Sequence, residues 1–448
     1  MGRRPKNRLD DAKPIKIQKF KTPLIVRGMK DILPSEQIYF DFIQKKIDEI
    51  TKKYSYKRIE TPIVEEKSLF QRALGKHSNL ITKEMFCFSE SSGNNVCLRP
   101  EGTAAVVRAY IKHGMQAMLQ PIRMYYVGNM FRYERPQSGH QREFRQFGLE
   151  ALGEKNPVLD AQLILINYNF LNELNLKVKL YINSIGCPVC RPNYARELTK
   201  FLKRKRSRLC GECKKNLNKN PLKILACEEK SCDFVKEESP QIVDWLCEEC
   251  KSHFVKVLEY LDELDVPYEL NPYLVRNLNY YTKTIFEIHP DEAGNSESSK
   301  ESLSAGGRYD NLVEVLGGKP APACGFAVGI ERVIAQLKKQ NAVIPQGDSP
   351  YVFVAQLGDA AKTKCLKLFE ELHKENIIAV ENFSVDNLKA QLDMANKLKV
   401  KYILILGQKE VLDKTILIRD TEGGMQEVID FKKVIPELKK KLEEEKKV

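Results

Sequence analysis

The chain has 448 residues, 42% of them hydrophobic, enough apolar material to bury cores in about three domains and to exclude a largely disordered chain. Its 73 Lys and Arg against 60 Asp and Glu leave a net charge of +13, which favours a polyanionic partner without identifying one. No apolar run approaches the roughly 18 residues that span a bilayer, the basic, polar start is unlike a secretion signal, and the twelve cysteines of a chain that is not exported are reduced or metal-bound; a cytoplasmic protein with no membrane partner is expected.

Residues 1–21 carry Arg3, Arg4, Lys6, Arg8, Lys13, Lys16, Lys19 and Lys21 with little to bury, and read as a flexible basic arm. A helix is expected from Ser35, capped by Ser35 and blocked from extending backward by Pro34, with Ile43, Ile47, Ile50 and Tyr54 on one face. Arg58 to Val64 is alternating and β-branched, with Pro62 interrupting a strand. Met124 to Arg132 and Gln146 to Leu152 read as an antiparallel hairpin, joined by a long basic loop in which Glu134 to Gly139 supplies turn chemistry. An apolar helix follows from Leu159 to Leu174, then a strand from Lys177 to Ile182.

Residues 187–250 differ in composition. Eight of the twelve cysteines fall there, and the stretch from Lys200 to Lys223 has ten Lys or Arg and one acid; this is an insertion. Strand-like segments resume at Tyr268 and at Thr284 to Ile288, with Asp291 to Glu301 a polar loop. A glycine-rich run, Ala305 to Asp310, leads to Cys324 through Arg332 and a helix to about Gln340. Asn341 to Pro350 is a linker. Beyond it, short strands at Val352, Ile377, Tyr402 and Thr415 alternate with amphipathic helices, a small α/β domain with a mainly parallel core and a frayed, lysine-rich terminal helix.

Three clusters hold more Arg, Glu and Gly than a fold needs. The first is Leu98-Arg-Pro-Glu101-Gly-Thr103, where a glutamate beside turn residues is ordinarily a surface residue. The second comprises Arg132, Glu134, Arg135, Arg142, Phe144, Arg145, Gln146 and Glu150. On a strand, Arg132 and Glu134 share a face, as do Phe144 and Gln146; the set suits a phosphate, an amine and a flat ring, or equally a solvated, salt-bridged face. The third joins Leu274 to Tyr281, including Arg276, to Arg308, Tyr309 and Gly329 to Arg332. There is no phosphate loop, dinucleotide fingerprint or nucleophile elbow, and the six histidines have no metal or triad spacing. Arginine-centred phosphate chemistry remains. Separately, Cys187-x2-Cys190, Cys210-x2-Cys213, Cys227-x4-Cys232 and Cys247-x2-Cys250 supply ligands for two four-thiolate zinc sites, with free buried thiols as the alternative and the pairing left open.

On these motifs the chain resembles the histidyl-tRNA synthetases, a class II aminoacyl-tRNA synthetase family, over roughly residues 24–448. The markers are Arg27 to Pro34, a first class motif at Arg58 to Glu65, Leu98 to Thr103, a second motif at Gly128 to Gly153, histidine-specific stretches at Leu274 to Tyr281 and Ser304 to Val313, and a third motif at Gly325 to Arg332. The resemblance implies an α+β fold: a six-stranded antiparallel catalytic domain (22–186 and 265–340) broken by the cysteine-rich insertion (187–264), then the linker (341–350) and a C-terminal α/β anticodon-binding domain (351–448). It implies a homodimer that joins L-histidine to ATP as a histidyl-adenylate, releasing diphosphate, and passes the histidyl group to tRNA(His), releasing AMP, with Mg2+ accompanying the ATP.

By motif, the resemblance places Arg132 at the α-phosphate, Glu134 at the adenine amine, Phe144 and Arg332 on either side of adenine, and Arg142 at the γ-phosphate. Arg276 would bridge the α-phosphate and the substrate carboxylate. Glu101, Thr103 and Gln146 would hold the α-amino group, and Glu150 and Tyr281, with Tyr280 and Tyr309 near, would read the imidazole. Departures are Asn277 and Asn279 where the family has glycine and aspartate, His140 where arginine is usual and Arg145 where histidine is usual. The basic insertion would clamp the acceptor end of the tRNA. Two rivals are a synthetase-like regulatory subunit of histidine biosynthesis, which would lack the last domain and several of these arginines, and a zinc-dependent RNA-binding protein, which leaves the Arg/Glu constellation unexplained.

Overall fold

The computed structural model describes residues 22–75, 78–134, 141–227, 229–276, 278, 280–291, 301–345 and 350–445; the basic arm and the departures at His140, Asn277 and Asn279 lie outside them. Two compact units divide the chain, Met1–Val343 and Ile344–Val448. Strands of the first are β1 (Lys57–Arg58), β2 (Val64–Glu66), β3 (Cys87–Ser89), β4 (Asn95–Leu98), β5 (Ile122–Phe131), β6 (Glu143–Leu152), β7 (Val178–Ser184), β8 (Glu269–Leu270), β9 (Thr282–Pro290), β10 (Ser304–Arg308) and β11 (Ala323–Gly329).

The main sheet runs β1-β5-β6-β11-β10-β9-β7-β8. Its inner strands, β5 through β7 in that order, all pair antiparallel, and the short β1 and β8 add parallel edges. The proline interruption is present: the chain leaves this sheet after Arg58 and re-enters pairing as β2 in a separate sheet, β2-β4-β3. Pro62 has no N–H to donate to a ladder.

Helix Pro34–Lys53 buries Ile43, Ile47 and Ile50 as expected. Its cap differs. Leu33 occupies the capping position with no side-chain hydrogen bond, and Pro34 is the first helical residue rather than a barrier outside it, because a fixed φ and a missing N–H cost nothing at that position. The hairpin β5–β6 has the register Met130↔Phe144, Gly128↔Gln146 and Met124↔Glu150. Arg132 and Glu134 lie beyond the end of β5, so strand alternation does not align them.

The glycine-rich run contains β10, buried along its whole length between β9 and β11. A Cβ at Gly306 would lie 2.5 Å from the Gly325 carbonyl oxygen and 2.6 Å from the Phe286 ring; glycine allows the neighbouring strands to close in. Insertion residues Tyr194, Leu198, Leu202 and Leu225 belong to the same apolar core as Phe70, Tyr110 and Leu312, so the insertion is packed onto the main domain rather than tethered to it.

The second unit has β12 (Val352–Gln356), β13 (Ala379–Glu381), β14 (Tyr402–Leu406), β15 (Thr415–Asp420) and β16 (Gln426–Asp430) in the order β13-β12-β14-β15-β16. The first three are parallel, whereas β15 and β16 add antiparallel, so the expected mainly parallel core is correct for only part of the sheet. The exposed, polar β16 carries no apolar alternation by which to recognise it. Among the described residues no helix is long and apolar enough to cross a membrane.

Candidate functional site

A cleft is lined by the ends of β6, β10 and β11, the segment after β5, and Arg276, Leu278, Tyr280 and Tyr281. Every residue expected to meet ATP or histidine lines it except Arg142 and Glu150. Glu101 is buried, not a surface residue. Its two carboxylate oxygens accept the first backbone N–H groups of helix Thr103–Lys112, from Thr103 at 2.7 Å and Ala104 at 3.0 Å. That is the favourable end of a helix for an anion; burial nonetheless raises the Glu101 carboxyl, with the two amides opposing it. The neighbouring Arg99 is structural, donating to the carbonyls of Asn129 at 2.9 Å and Thr61 at 2.7 Å.

Glu150 lies behind the lining, accepting from the Thr103 hydroxyl at 2.7 Å and from the Tyr309 hydroxyl. A Cβ on Gly325, opposite it on β11, would collide with its carboxylate, so glycine there seats the acid. Burial pushes the Glu150 carboxyl up to about 8, against both hydroxyl donors. Its ordinary value is 4.5, so between roughly pH 5 and 8 the folded chain holds a proton that the unfolded chain releases, and stability falls as pH rises through that range. We expect Glu150→Gln to shrink the drop in Tm between pH 6 and pH 8; an unchanged drop in calorimetry would mean that Glu150 is ionised throughout.

Arg132 donates from Nε to the Pro100 carbonyl at 2.9 Å, and its guanidinium sits 5.1 Å from the centre of the Phe144 ring. Glu134, two residues on, is 3.9 Å from it. Arg332, on the first turn of helix Ile330–Lys339, donates to the Ser302 carbonyl at 2.9 Å and lies 3.6 Å from Glu301. Arg142 is held at the margin: its guanidinium is 3.8 Å from the centre of the Tyr133 ring and donates to the carbonyls of Glu134 at 3.3 Å and Arg27 at 3.2 Å. Gly28, at φ +86, accommodates it; a Cβ there would lie 2.7 Å from its side chain.

Arg276 is ion-paired with Glu287 of β9, and its Nε has no partner among the described residues. Burial would raise the Glu287 carboxyl, but Arg276 and His289, the latter 3.0 Å away, hold it below the usual range. The Arg276 guanidinium lies 5.8 Å from the Tyr281 ring centre, and Tyr280, Tyr281 and Tyr309 pack together with ring centroids 4.8 to 6.5 Å apart.

Two acids of the site escaped the sequence reading. Glu287 was detectable as an acid between Phe286 and Ile288 in the middle of β9. Glu331 lines the cleft, and both its oxygens accept the Arg145 N–H at 2.9 Å; burial raises it to about 7. The Arg145 guanidinium points elsewhere, 4.5 Å from the centre of the Phe40 ring. Arg308 is not in the cleft. Fully buried, it forms an ion pair with Asp160, which also meets His253 at 3.3 Å.

The eight cysteines form two sets, Cys187, Cys190, Cys247 and Cys250, and Cys210, Cys213, Cys227 and Cys232, with the sulfurs of each set within 4.8 Å of one another. Neighbouring sulfurs stand 3.7 Å apart for Cys187–Cys190 and 3.9 Å for Cys187–Cys247, Cys190–Cys250 and Cys210–Cys227. Four thiolates arranged tetrahedrally at about 2.3 Å from a zinc ion are about 3.8 Å apart. The sets fit that geometry.

The family model described as histidyl-tRNA synthetase matches residues 28–333, and one described as anticodon binding domain matches residues 342–441. A curated histidine–tRNA ligase of Dehalococcoides mccartyi is 40% identical over 417 residues, covering 93% of this chain and 99% of the relative. One from Halothermothrix orenii is 40% identical over 415 residues, covering 92% and 98%. The crystal structure of the apo histidyl-tRNA synthetase of S. aureus superposes with a TM-score of 0.78 at 34% identity, covering 93% of this chain and 99% of that one.

Proposed function

The chain belongs to the histidyl-tRNA synthetase family, and from that premise we propose how its residues divide the work of joining L-histidine to its tRNA. It is an ATP-consuming ligase: the histidine carboxylate attacks the α-phosphorus of ATP, diphosphate leaves, and the histidyl-adenylate then acylates the terminal adenosine of tRNA(His), releasing AMP. No covalent enzyme intermediate is needed, so positioning and charge neutralisation carry the rate.

In our assignment Arg132 and Arg276 flank the α-phosphate, where planar guanidinium groups match the charge that grows on the phosphoryl oxygens. Phe144 and Arg332 hold the adenine and Glu134 its amine. Glu101, Thr103 and Gln146 take the α-ammonium group. Tyr281 reads the imidazole beside Tyr280, while Glu150 acts from behind the wall by orienting the hydroxyls of Thr103 and Tyr309. Arg142, at the margin, suits the distal phosphates, which Mg2+ would accompany. The observation that carries this assignment is the convergence on one cleft of Arg132, Arg276 and Arg332 from three separate segments.

Each cysteine set would hold one structural Zn2+, the sulfur spacing supporting that ion over free thiols. The insertion (187–264), between the catalytic segments 22–186 and 265–340, would clamp the acceptor end with its unpaired share of basic residues; Lys200, Lys205 and Arg208 already meet Glu197 or Glu238. Residues 351–448, beyond the linker 341–350, would bind the anticodon. Exposed apolar residues, Leu24 and Leu119 at 93% and Ile63 at 47%, support a homodimer, and we place the enzyme in the cytoplasm. A regulatory-subunit reading is less favoured, since the anticodon-binding match is present.

Exchange of labelled diphosphate into ATP tests the assignment: exchange should require histidine, and exchange indifferent to histidine would overturn it.

A further inference from the structure

We propose that Arg191 is a positioning residue for histidine recognition, tying the Cys187–Cys190 knuckle of the insertion to the backbone that presents Tyr281. Arg191 follows Cys190 directly and opens helix Arg191–Arg204. Its Nη2 donates to the Tyr281 carbonyl at 2.6 Å and to the Gly186 carbonyl at 3.2 Å, and its Nε donates to the Ile185 carbonyl at 3.2 Å. One planar fork therefore joins the end of β7 to the residue just before β9. The same two segments are also bonded directly, the Ile185 N–H to the Lys283 carbonyl and the Lys283 N–H to the Gly186 carbonyl, each at 2.8 Å.

The knuckle is pressed against this junction. Gly186 has φ +64, and a Cβ on it would lie 2.5 Å from the Cys190 sulfur. On the cleft side, Tyr281 packs on Tyr280 and lies under the Arg276 guanidinium. A shift of the Tyr281 backbone would therefore move the imidazole-reading ring while leaving Phe144 and Arg332, on other segments, in place. Three carbonyl acceptors around one guanidinium suit its planar fork of donors; the ammonium group of lysine is a point donor on a flexible stem and does not hold all three. Arg191 contacts none of the proposed substrate groups, so its role is to fix the position of Tyr281.

This inference rests on reading the cleft as the histidine site, and diphosphate exchange separates the two claims. With the full-length enzyme, Arg191→Ala and Arg191→Lys should each raise the KM for histidine by about tenfold or more, the factor that one charge-assisted hydrogen bond supplies. The KM for ATP should stay within about twofold and the zinc content per chain should be unchanged. An unchanged histidine KM in either variant, or an equal rise in both KM values, overturns the proposal; if the alanine variant does not fold, the lysine variant decides. Exchange in the unsubstituted enzyme that ignores histidine would instead overturn the reading of the cleft.

Discussion

Replacing Arg276 with glutamine should lower kcat/KM for histidine-dependent diphosphate exchange by about 10²- to 10³-fold, the loss that follows removal of one preorganised donor to a developing oxyanion, roughly 3–4 kcal/mol. Two effects add. On the proposed assignment the guanidinium would no longer meet the phosphoryl charge, and Glu287 would be left as a partly buried carboxylate whose main partner is gone. Glu287→Gln separates them: it keeps Arg276 but removes the charge that orients it, so its loss should be smaller by an order of magnitude. Arg132→Gln should resemble Arg276→Gln. Steady-state exchange on variants with unchanged circular dichroism measures all three, and activity within threefold of the parent in Arg276→Gln would remove that residue from the reacting phosphate.

Cys250→Ser is expected to remove one of two zinc ions per chain and to lower Tm by many degrees, because the free energy of binding a structural zinc is folding free energy, of the order of 10 kcal/mol in isolated modules. The effect should reach the exchange reaction. Cys250 is fully buried, its set abuts Arg191, and the insertion shares a core with the main domain. Cys213→Ser should remove the other ion and unsettle the segment around Leu217 and Leu225; its set does not include Cys190, the neighbour of Arg191, so the effect on the histidine KM should be smaller. Metal analysis with calorimetry checks both. Parent enzyme purified without metal, and as stable with a chelator as without, would remove zinc from the account.

Much of the fold was legible because the signals are local. The helix face of Ile43, Ile47 and Ile50 follows from side-chain spacing along a helix, and the break at Pro62 from a missing donor. Where reading failed, a local rule met a tertiary exception. The glycine-rich run, given no element by its sequence, contains β10, because three strands approach too closely at Gly306 and Gly307 for side chains there. Ser35, a good capping residue by type, yields that position because Pro34 starts the helix one residue earlier.

The amino-acid order by itself determined which chemistry the chain can carry: guanidinium groups, acids, aromatic rings and paired thiols stand at spacings that need no folded structure to recognise. Only the tertiary structure decided who meets whom. Cys187 joins Cys247 across 60 residues, Arg308 goes to Asp160 across 148 and so leaves the cleft, and Arg276 finds Glu287. It also decided which carboxyls burial pushes upward, as at Glu150 and Glu331. Desolvation and pairing depend on what neighbouring strands cover, and that cover comes from segments far apart in the chain.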